Sequence, residues 1–434
     1  MNYDVTTAII LLLGSFFILI ILRLPVIFAM CASTILTMLY TGTNLMTMMQ
    51  RMASSINSFS LLAIPFFLLA GEIMGAGGVS DQLVEVSNAL VGRFRGGLGH
   101  VNVLASMLFG GMSGSSAADI ASLGPIEMRL MNDSGYDPDY SCALTVTSSC
   151  QGVLIPPSHN MIIYSMAVGG VSVGGLFMGG LIPGVLLGLL LMTANGIISY
   201  RRNYPVGEKI PLRRTLKIML KSLPAIITVL IILCGVSFGF FTATESAAVA
   251  CIWAFLTATL IYRKLKIKNV PHLLFNVLKS LAVVFGLIAS AGAFAYMVSK
   301  LNIPTMFASA LIGISNSPIV VLLLINLMLL VLGCIMDMAP LILICSPILL
   351  PVCMSIGMNP ISFGIMLIFN LAIGLCTPPV GNALFIGCAV GKRRLEDVVK
   401  QMLPLYGVML VGLMLVTYVP FFTTWLPTLL GYLN

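Results

Sequence analysis

The chain has 434 residues, of which 59% are hydrophobic and 8% are charged, and its mean hydropathy is +1.07. Apolar runs long enough to cross a bilayer recur along it, which excludes a soluble protein and defines a polytopic membrane protein. The net charge of +8 does not indicate nucleic-acid binding, because the basic residues lie in short loops between apolar runs, as in the cytoplasmic loops of membrane proteins.

An opening pair of helices is predicted at residues 5–22 and 25–45, joined by a tight turn at Arg23-Leu-Pro. We expect the first segment to be a membrane helix and not a cleaved signal, because Met1 to Asp4 has no basic residue and no cleavage site precedes Arg23. Residues 1–56 therefore form an N-terminal scaffold.

A first repeat is predicted at 57–198. A span at 58–75 is followed by an amphipathic arm at 81–95, and residues 98–131 are too long for one span and centre on the small, polar tip Gly110 to Ser116. A re-entrant hairpin is the simplest interpretation, since irregular backbone at membrane depth must lie inside protein or a water-filled cavity. The next span, 138–168, must break at Pro156-Pro157 because two prolines remove two backbone donors.

The remaining elements are assigned in the same way. Residues 199–279 contain basic loops around a connecting helical hairpin, and residues 280–422 form a second repeat that ends in a last span at 404–422. Within that repeat we predict a hairpin at 318–354 and a broken helix at 360–391. Residues 423–434 form a C-terminal tail.

The two repeats are related by a shift of 222 residues. Thirteen positions then match without a gap, and they are concentrated on residue types that record backbone geometry, including Gly111 with Gly333, Gly152 with Gly374, Pro156 with Pro378, Pro157 with Pro379 and Asn160 with Asn382. The chain is therefore interpreted as an internal duplication.

Charge sets the predicted orientation. We place the N-terminus outside and count about ten full spans, two re-entrant hairpins and two broken helices. In this arrangement only Arg51 and Lys300, of 22 basic residues, lie on the outer side. The repeats then begin from opposite faces. An all-α polytopic fold with inverted repeats and broken helices is typical of secondary transporters, whose sites lie near the midplane at the breaks.

Four acidic residues lie in or beside membrane segments, and a carboxylate near the bilayer centre costs roughly 2.5 to 3.5 kcal/mol. They are Glu72, Asp119, Glu245 and Asp337. Because Met-Ala-Pro340 follows Asp337, this residue fits an N-cap as well as an ion ligand. Asp119 fits a position favoured by a helix dipole, and Glu72 and Glu245 are interpreted mainly as structural.

The tips and breaks supply the candidate site residues. Hydroxyls and free carbonyls suit a hard cation, and helix N-termini suit an anion. The structural alternatives are that the small residues serve only helix packing and that His159, as a lone histidine, is only hydrogen-bonded. The candidate sodium ligands are Ser113, Gly114, Ser115, Pro156, Asp337, Met338, Thr377 and Pro378. The candidate substrate-binding residues are Ser116, Ser158, His159, Asn160, Gly381 and Asn382.

Two other classes of protein fit the sequence less well. A channel needs a filter or pore-lining rings, which nothing in the sequence indicates. An enzyme needs a catalytic constellation, and the three histidines at 100, 159 and 272 do not form one. The ten cysteines lie in apolar runs without a Cys-x-x-Cys pair, which favours buried side chains over metal ligands or disulfides.

The order and spacing of six segments resemble those of the large membrane subunit of tripartite ATP-independent periplasmic (TRAP) transporters, over essentially the whole chain. The segments are SLLAIPFFLLAGEIMGAGG, GGMSGSSAADIASLGPI, LIPPSHNMIIY, FTATESAAVA, CIMDMAPLILICSPILLP and GLCTPPVGNALF.

This resemblance implies a sodium-driven importer of an organic acid anion, such as a C4-dicarboxylate or sialic acid, in the bacterial inner membrane with a periplasmic N-terminus. It implies two partners, a small four-helix membrane subunit and a periplasmic substrate-binding protein. It also implies an elevator-type motion of the hairpins and broken helices against a scaffold. A stand-alone ion-coupled carboxylate transporter of another inverted-repeat family is the alternative, and proton coupling through Asp119 and Asp337 is the alternative to sodium.

The predicted orientation is tested by a cysteine placed between Gly207 and Arg214, in the long basic loop. We expect it to be shielded from membrane-impermeant thiol reagents added to intact cells, because the basic loop lies inside. Labelling as fast as that of an exposed outer loop would overturn the inverted-repeat assignment.

Overall fold

The computed structural model describes residues 3–207, 210–237, 239–315 and 317–433, and these segments are helical throughout apart from turns and short connections. Glu208 and Lys209, in the loop just proposed for cysteine labelling, lie outside the described residues. Within the described segments the extended pairing is one isolated bridge, between Arg95 and Val206.

The opening pair is followed by an additional helix. The first segment, Val5–Ile21, is α1 and α2 joined by a π-helical turn, Ile10–Gly14. It is followed by α3 (Val26–Thr41) and α4 (Leu45–Ile56). The sequence did not predict α4 as an element. It is capped by Asn44, whose side chain accepts a hydrogen bond from the Met46 amide at 2.8 Å.

The residues predicted as the first repeat form nine helices, after a 3₁₀ turn at Phe59–Leu62. They are α5 (Ala63–Ala76), α6 (Val79–Val91), α7 (Gly97–Ser113), α8 (Ser116–Ser122), α9 (Gly124–Asp133), α10 (Pro138–Ser149), α11 (Gln151–Leu154), α12 (His159–Val168) and α13 (Val173–Arg201).

Two helices connect this region to the next, α14 (Leu212–Ser237) and α15 (Ala243–Leu256), the second continued by a π turn at Thr257–Ile261. Thr242 and Glu245 form a capping box at the start of α15, in which each side chain binds the other residue's backbone amide. Glu245 thus has the structural position expected of it.

In the described part of the predicted second repeat and tail there are eight helices, after a 3₁₀ turn at Ile267–Asn269. They are α16 (Val270–Lys300), α17 (Ile303–Ile314), α18 (Pro318–Ile335), α19 (Met338–Ser355), α20 (Pro360–Leu375), α21 (Asn382–Gly391), α22 (Leu395–Tyr418) and α23 (Phe421–Leu429).

Eight helical segments of the described chain are long and apolar enough to cross a membrane. They are Phe59–Ala76, Val173–Arg201, Arg213–Val236, Ala243–Ile261, Ile267–Lys300, Pro318–Ile335, Met338–Ser355 and Leu395–Tyr418. Shorter apolar helices accompany them, including both parts of the segment interrupted at Pro378-Pro379. The fold is therefore an all-helical, multi-span membrane protein.

Close contacts between glycines join the interrupted segments to their neighbours. A Cβ atom added to Gly110 of α7 would lie 2.6 Å from the Cα of Gly152 in α11, and one added to Gly374 of α20 would lie 2.8 Å from the Cα of Gly333 in α18. Gly152 and Gly374 are equivalent under the 222-residue shift. Both helix pairs therefore approach with backbone against backbone, which only glycine permits.

Gly110→Ala and Gly374→Ala should each lower the melting temperature of the purified protein by several degrees. The added methyl group has backbone atoms as neighbours and forces the helices apart, at a cost of about 1–3 kcal/mol. Gly407→Ala is the matched control, because this helical glycine of α22 has open space around its Cβ position and should be neutral or stabilising. Equal melting temperatures for all three variants would show that the glycine contacts do not position the helices.

Candidate functional site

The chain leaves helical geometry at both Pro-Pro pairs, as the sequence predicts. The first interruption separates α11 from α12 at residues 155–158, and the second separates α20 from α21 at residues 376–381. The Pro156-Pro157 and Pro378-Pro379 bonds are both cis. Two further non-helical points lie between α7 and α8 and between α18 and α19, at the predicted tips.

These four interruptions converge on one central cavity of about 150 Å³. Seven sequence-predicted site residues line it, drawn from both halves of the chain: Ser115, Ser116, His159, Asn160, Asp337, Met338 and Asn382. Its remaining wall includes Val283, Val284 and Leu287 of α16. A second cavity of about 180 Å³ shares Asp337, Leu375 and Asn382 with it and adds Gly381.

Four helices begin at the central cavity. Their first residues are Ser116 (α8), His159 (α12), Met338 (α19) and Asn382 (α21), and all four line it. The N-terminus of a helix presents unpaired amides and the positive end of the helix dipole. Helices α12, α19 and α21 lack a side-chain cap, so the amides of their first turns are available to an anion.

The preceding helices end beside these breaks. Helices α7, α11, α18 and α20 end at Ser113, Leu154, Ile335 and Leu375. The C-terminus of a helix presents unpaired carbonyl oxygens and the negative end of the dipole, which suit a cation. Within the described residues no three His, Cys, Asp or Glu side chains group as transition-metal ligands do, so a cation here would be held by hydroxyl, carbonyl and single carboxylate oxygens.

Ser115 and Asp337 occupy equivalent places but differ in their hydrogen bonds. Ser115 is the N-cap of α8, and its hydroxyl accepts a hydrogen bond from the Ala118 amide at 3.3 Å. Asp337 is at the N-cap position of α19 but makes no side-chain capping bond. Its carboxylate is exposed and lines both central cavities. Asp337 therefore holds the N-cap position without a side-chain capping bond to α19, and its carboxylate faces the two central cavities.

The other predicted site residues lie behind these walls. Gly114 has a φ of +62°, and a side chain there would meet the Pro157 carbonyl, so the first tip rests directly on the first break. Ser158 is fully buried with a hydroxyl that has no partner among the described residues. Thr377 donates its hydroxyl hydrogen bond to the Ile373 carbonyl at 2.7 Å. Ser113, Pro156 and Pro378 likewise line neither central cavity.

A buried polar layer lies behind the first tip. The single Ser106 hydroxyl proton is shared between Asp119 Oδ1 at 3.3 Å and the Ser148 hydroxyl oxygen at 3.2 Å, and Ser148 donates to Asn102 Oδ1 at 2.7 Å. Asp119 is fully buried, and its second oxygen has no partner in the described part of the chain.

Sequence reasoning missed Glu127, on α9. Its side chain is only 2% exposed, and neither carboxylate oxygen has a partner among the residues described. No local signal indicated that Glu127 is buried. It lies near the polar turn at residue 133, where a carboxylate is expected to reach water. Its burial follows from the packing of α9 against α10 and α21, which no local pattern records.

The fold resembles that of a solved transporter. The crystal structure of the Alcanivorax borkumensis YdaH transporter matches with a TM-score of 0.65 at 14% identity, over 89% of each chain. This likeness shows the fold, that of an all-helical, multi-span membrane protein, and in this chain the helix breaks of that fold surround the central cavity.

Comparison with families and relatives then identifies the group. The model of the tripartite ATP-independent periplasmic transporter DctM component matches residues 13–422. The sialic acid TRAP transporter large permease SiaM of Vibrio cholerae is 37% identical over 88% of this chain and 90% of its own. The C4-dicarboxylate TRAP transporter large permease DctM of Pseudomonas aeruginosa is 37% identical over 86% of this chain and 87% of its own. The chain belongs to the DctM family of TRAP transporter large permeases, so it is a transporter component and not an enzyme.

Glu127→Gln should leave the melting temperature unchanged or raise it. A neutral amide costs less to bury than a carboxylate that lacks a cationic partner. Asp139→Asn is the comparison, because Asp139 accepts two hydrogen bonds from the Arg393 guanidinium at 2.6 and 2.9 Å, and losing this solvent-exposed ion pair should lower stability by up to about 1 kcal/mol. A larger loss in Glu127→Gln than in Asp139→Asn would show that the Glu127 carboxylate holds a partner.

Proposed function

We propose that this protein is the transport subunit of a TRAP system that takes up an organic acid anion with sodium across the bacterial inner membrane. The observation that supports this most strongly is the convergence of Ser115, Asn160, Asp337 and Asn382, from four separate interruptions, on one cavity. The substrates named for the two relatives, sialic acid and C4-dicarboxylate, are both carboxylates.

The same cavity suits both the anion and its coupling ions. The uncapped first turns of α12, α19 and α21 would bind the carboxylate through backbone amides, and His159 and the two asparagines supply further donors. Two sodium sites would flank it. One would use Ser113, Gly114, Ser115 and the Pro156 carbonyl, and the other Asp337, Met338, Thr377 and the Pro378 carbonyl.

Sodium coupling has an electrostatic reason. Moving a monoanion inward against an inside-negative potential of 100 mV costs about 2.3 kcal/mol per charge. Two or more sodium ions per monoanion reverse the sign of the net charge moved, so the potential then drives uptake. Proton coupling through Asp119 and Asp337 is the competing possibility.

The proposed architecture is the inverted-repeat elevator. Residues 57–198 and 280–422 form the two repeats, each with one re-entrant hairpin and one broken helix, and residues 1–56 and 199–279 contribute scaffold. The N-terminus lies in the periplasm and ten full spans cross the membrane. The equivalent contacts of Gly152 and Gly374 support this pairing, because each joins a broken helix to the hairpin of its own half.

Two partners complete the proposed system, a small four-helix membrane subunit and a periplasmic substrate-binding protein. The apolar opening helices α2 and α3 lie outside the duplication and expose large side chains such as Phe17, Ile21 and Phe28. They are suited to packing against the small subunit. A stand-alone carboxylate transporter would need neither partner.

Ser115→Ala and Asp337→Ala should each raise the sodium concentration for half-maximal uptake several-fold, because each removes a sodium ligand, and should leave docking of the binding protein unchanged. Uptake is measured in proteoliposomes with both partners present, and with the sodium gradient, proton gradient and voltage varied independently. Ser309→Ala and Asp133→Ala are the matched controls, since both side chains are exposed and lie on helices, α17 and α9, that do not line the central cavities.

Three results would contradict parts of this proposal. Uptake that persists without sodium but collapses with the proton gradient would replace sodium by protons. Full uptake by this chain in liposomes without either partner would reject the tripartite system. Equal sodium dependence in the site and control variants would remove the assigned ligands from the site.

A further inference from the structure

A larger cavity lies outside the central site. Its volume is about 570 Å³, and it is lined by residues of α4, α12, α16 and α19. The residues used below that line it are Arg51, Ser54, Ser55, Met166, Tyr296 and Lys300. In the proposed orientation Arg51 of α4 and Lys300 of α16 lie on the periplasmic side.

The outer cavity has an unbalanced positive charge. Arg51 and Lys300 both line it, and no acidic residue in the described part of the chain does. In the described segments neither of these two side chains forms a salt bridge, although six other basic residues do. They are also the two basic residues that the proposed orientation leaves on the outer side. A cavity with two cations and no counter-charge attracts anions.

Both cationic side chains are held in place. The Arg51 guanidinium carbon lies 4.9 Å from the centroid of the Tyr296 ring, a cation–π contact that orients the guanidinium. The Lys300 ammonium donates a hydrogen bond to the Thr43 hydroxyl at 2.5 Å. Because the two side chains are already ordered, anion binding has a smaller entropic cost to offset.

Gly292 fixes the wall that presents Arg51. A side chain on this residue of α16 would overlap the Ser55 side chain and lie 3.2 Å from the Arg51 carbonyl oxygen. Helix α4 therefore rests against α16 at the position where a glycine permits it. The arginine is presented by a close helix contact and not by a loose surface segment.

The outer and central cavities lie along the same three helices. Helix α16 lines the central cavity at Leu287 and the outer one as far as Lys300, a distance of roughly 20 Å at 1.5 Å per residue. Helix α12 lines the central cavity at Asn160 and the outer one at Met166, and α19 also lines both. An anion leaving the outer cavity inward would therefore meet the uncapped helix N-termini next.

We propose that the outer cavity is an entry subsite, in which Arg51 and Lys300 hold the carboxylate group of the transported anion before it reaches the central site. This inference rests on the proposed function, because it takes the same class of anion as the ligand. The subsite raises the local concentration of the anion at the entrance. From there the anion passes from side-chain cations to backbone amides along helices that line both cavities.

The first test measures the potential in the cavity without any transport assay. In Ser54→Cys, the new thiol lines the cavity, and its modification rate is compared for a sulfonate-bearing and a trimethylammonium-bearing methanethiosulfonate. We expect the sulfonate reagent to react faster than the trimethylammonium reagent. The ratio of the sulfonate rate to the trimethylammonium rate should fall on the order of tenfold when Arg51→Gln and Lys300→Gln are added, because two positive charges at close range are removed. Lys279→Gln is the matched control, because Lys279 is on the same helix and also lies over an aromatic ring, that of Phe275, without lining the cavity.

The second test uses succinate and N-acetylneuraminate as probes. Each is expected to slow the sulfonate reaction at Ser54→Cys in the otherwise unchanged protein, relative to chloride at equal ionic strength, and to lose this effect in Arg51→Gln with Lys300→Gln. In proteoliposomes with both partners, the same two variants should raise the half-saturating concentration of the acid several-fold without changing the sodium concentration for half-maximal uptake. The chain without the Ser54 substitution gives the background from native thiols.

The outcomes separate this inference from the proposed function. A rate ratio that does not change in the Arg51 and Lys300 variants, or protection by chloride equal to that by both acids, would overturn the entry subsite even if sodium-driven uptake is intact. If the wild-type complex takes up no acid in response to a sodium gradient, the proposed function is overturned instead. The thiol measurement on the cavity would still report whether the subsite binds carboxylates.

Discussion

The structure depends on one constraint, that backbone groups outside helices must be satisfied or enclosed when they lie at membrane depth. Two segments, 155–158 and 376–381, leave helical geometry inside apolar surroundings. The helix before each break packs against the helix that precedes a tip, through the glycine contacts of Gly152 with Gly110 and of Gly374 with Gly333. The second break is also tied by the Val380 amide, which donates to the Cys334 carbonyl at 3.0 Å, and by the Tyr406 hydroxyl, which donates to the Cys376 carbonyl at 2.5 Å.

This enclosure has a chemical consequence. Once the breaks and tips are packed against each other, the helices that begin there, α8, α12, α19 and α21, all start at one cavity. Their positive ends suit a carboxylate, and the carbonyl ends of the helices before them suit sodium. The interrupted helices therefore offer binding groups for both an anion and a cation, and they need few buried charged side chains to do so. The outer cavity, which we propose as an entry subsite, lies along the same helices and is lined by Arg51 and Lys300.

Much of this could be predicted from the sequence, because glycine, proline and asparagine record backbone geometry. The Pro-Pro pairs mark both breaks, and Ser115, Ser116, His159, Asn160, Asp337, Met338 and Asn382 line the cavity as a set. Other features depend on contacts between distant elements. Helix α4 is short and amphipathic, so its apolar pattern is weak, and the burial of Glu127 and the meeting of Arg51 with Lys300 follow from packing alone.

Amide hydrogen exchange of the complete transporter tests the central claim most directly, because that claim concerns free backbone groups at the tips and breaks. Exchange is compared in sodium with the transported acid and in potassium with the same acid. The account predicts that sodium and the acid together slow exchange at residues 113–118, 155–160, 335–339 and 376–384, while the interior of α22 is unchanged. Equal exchange at these four segments in sodium and potassium would contradict a sodium and carboxylate site built from them.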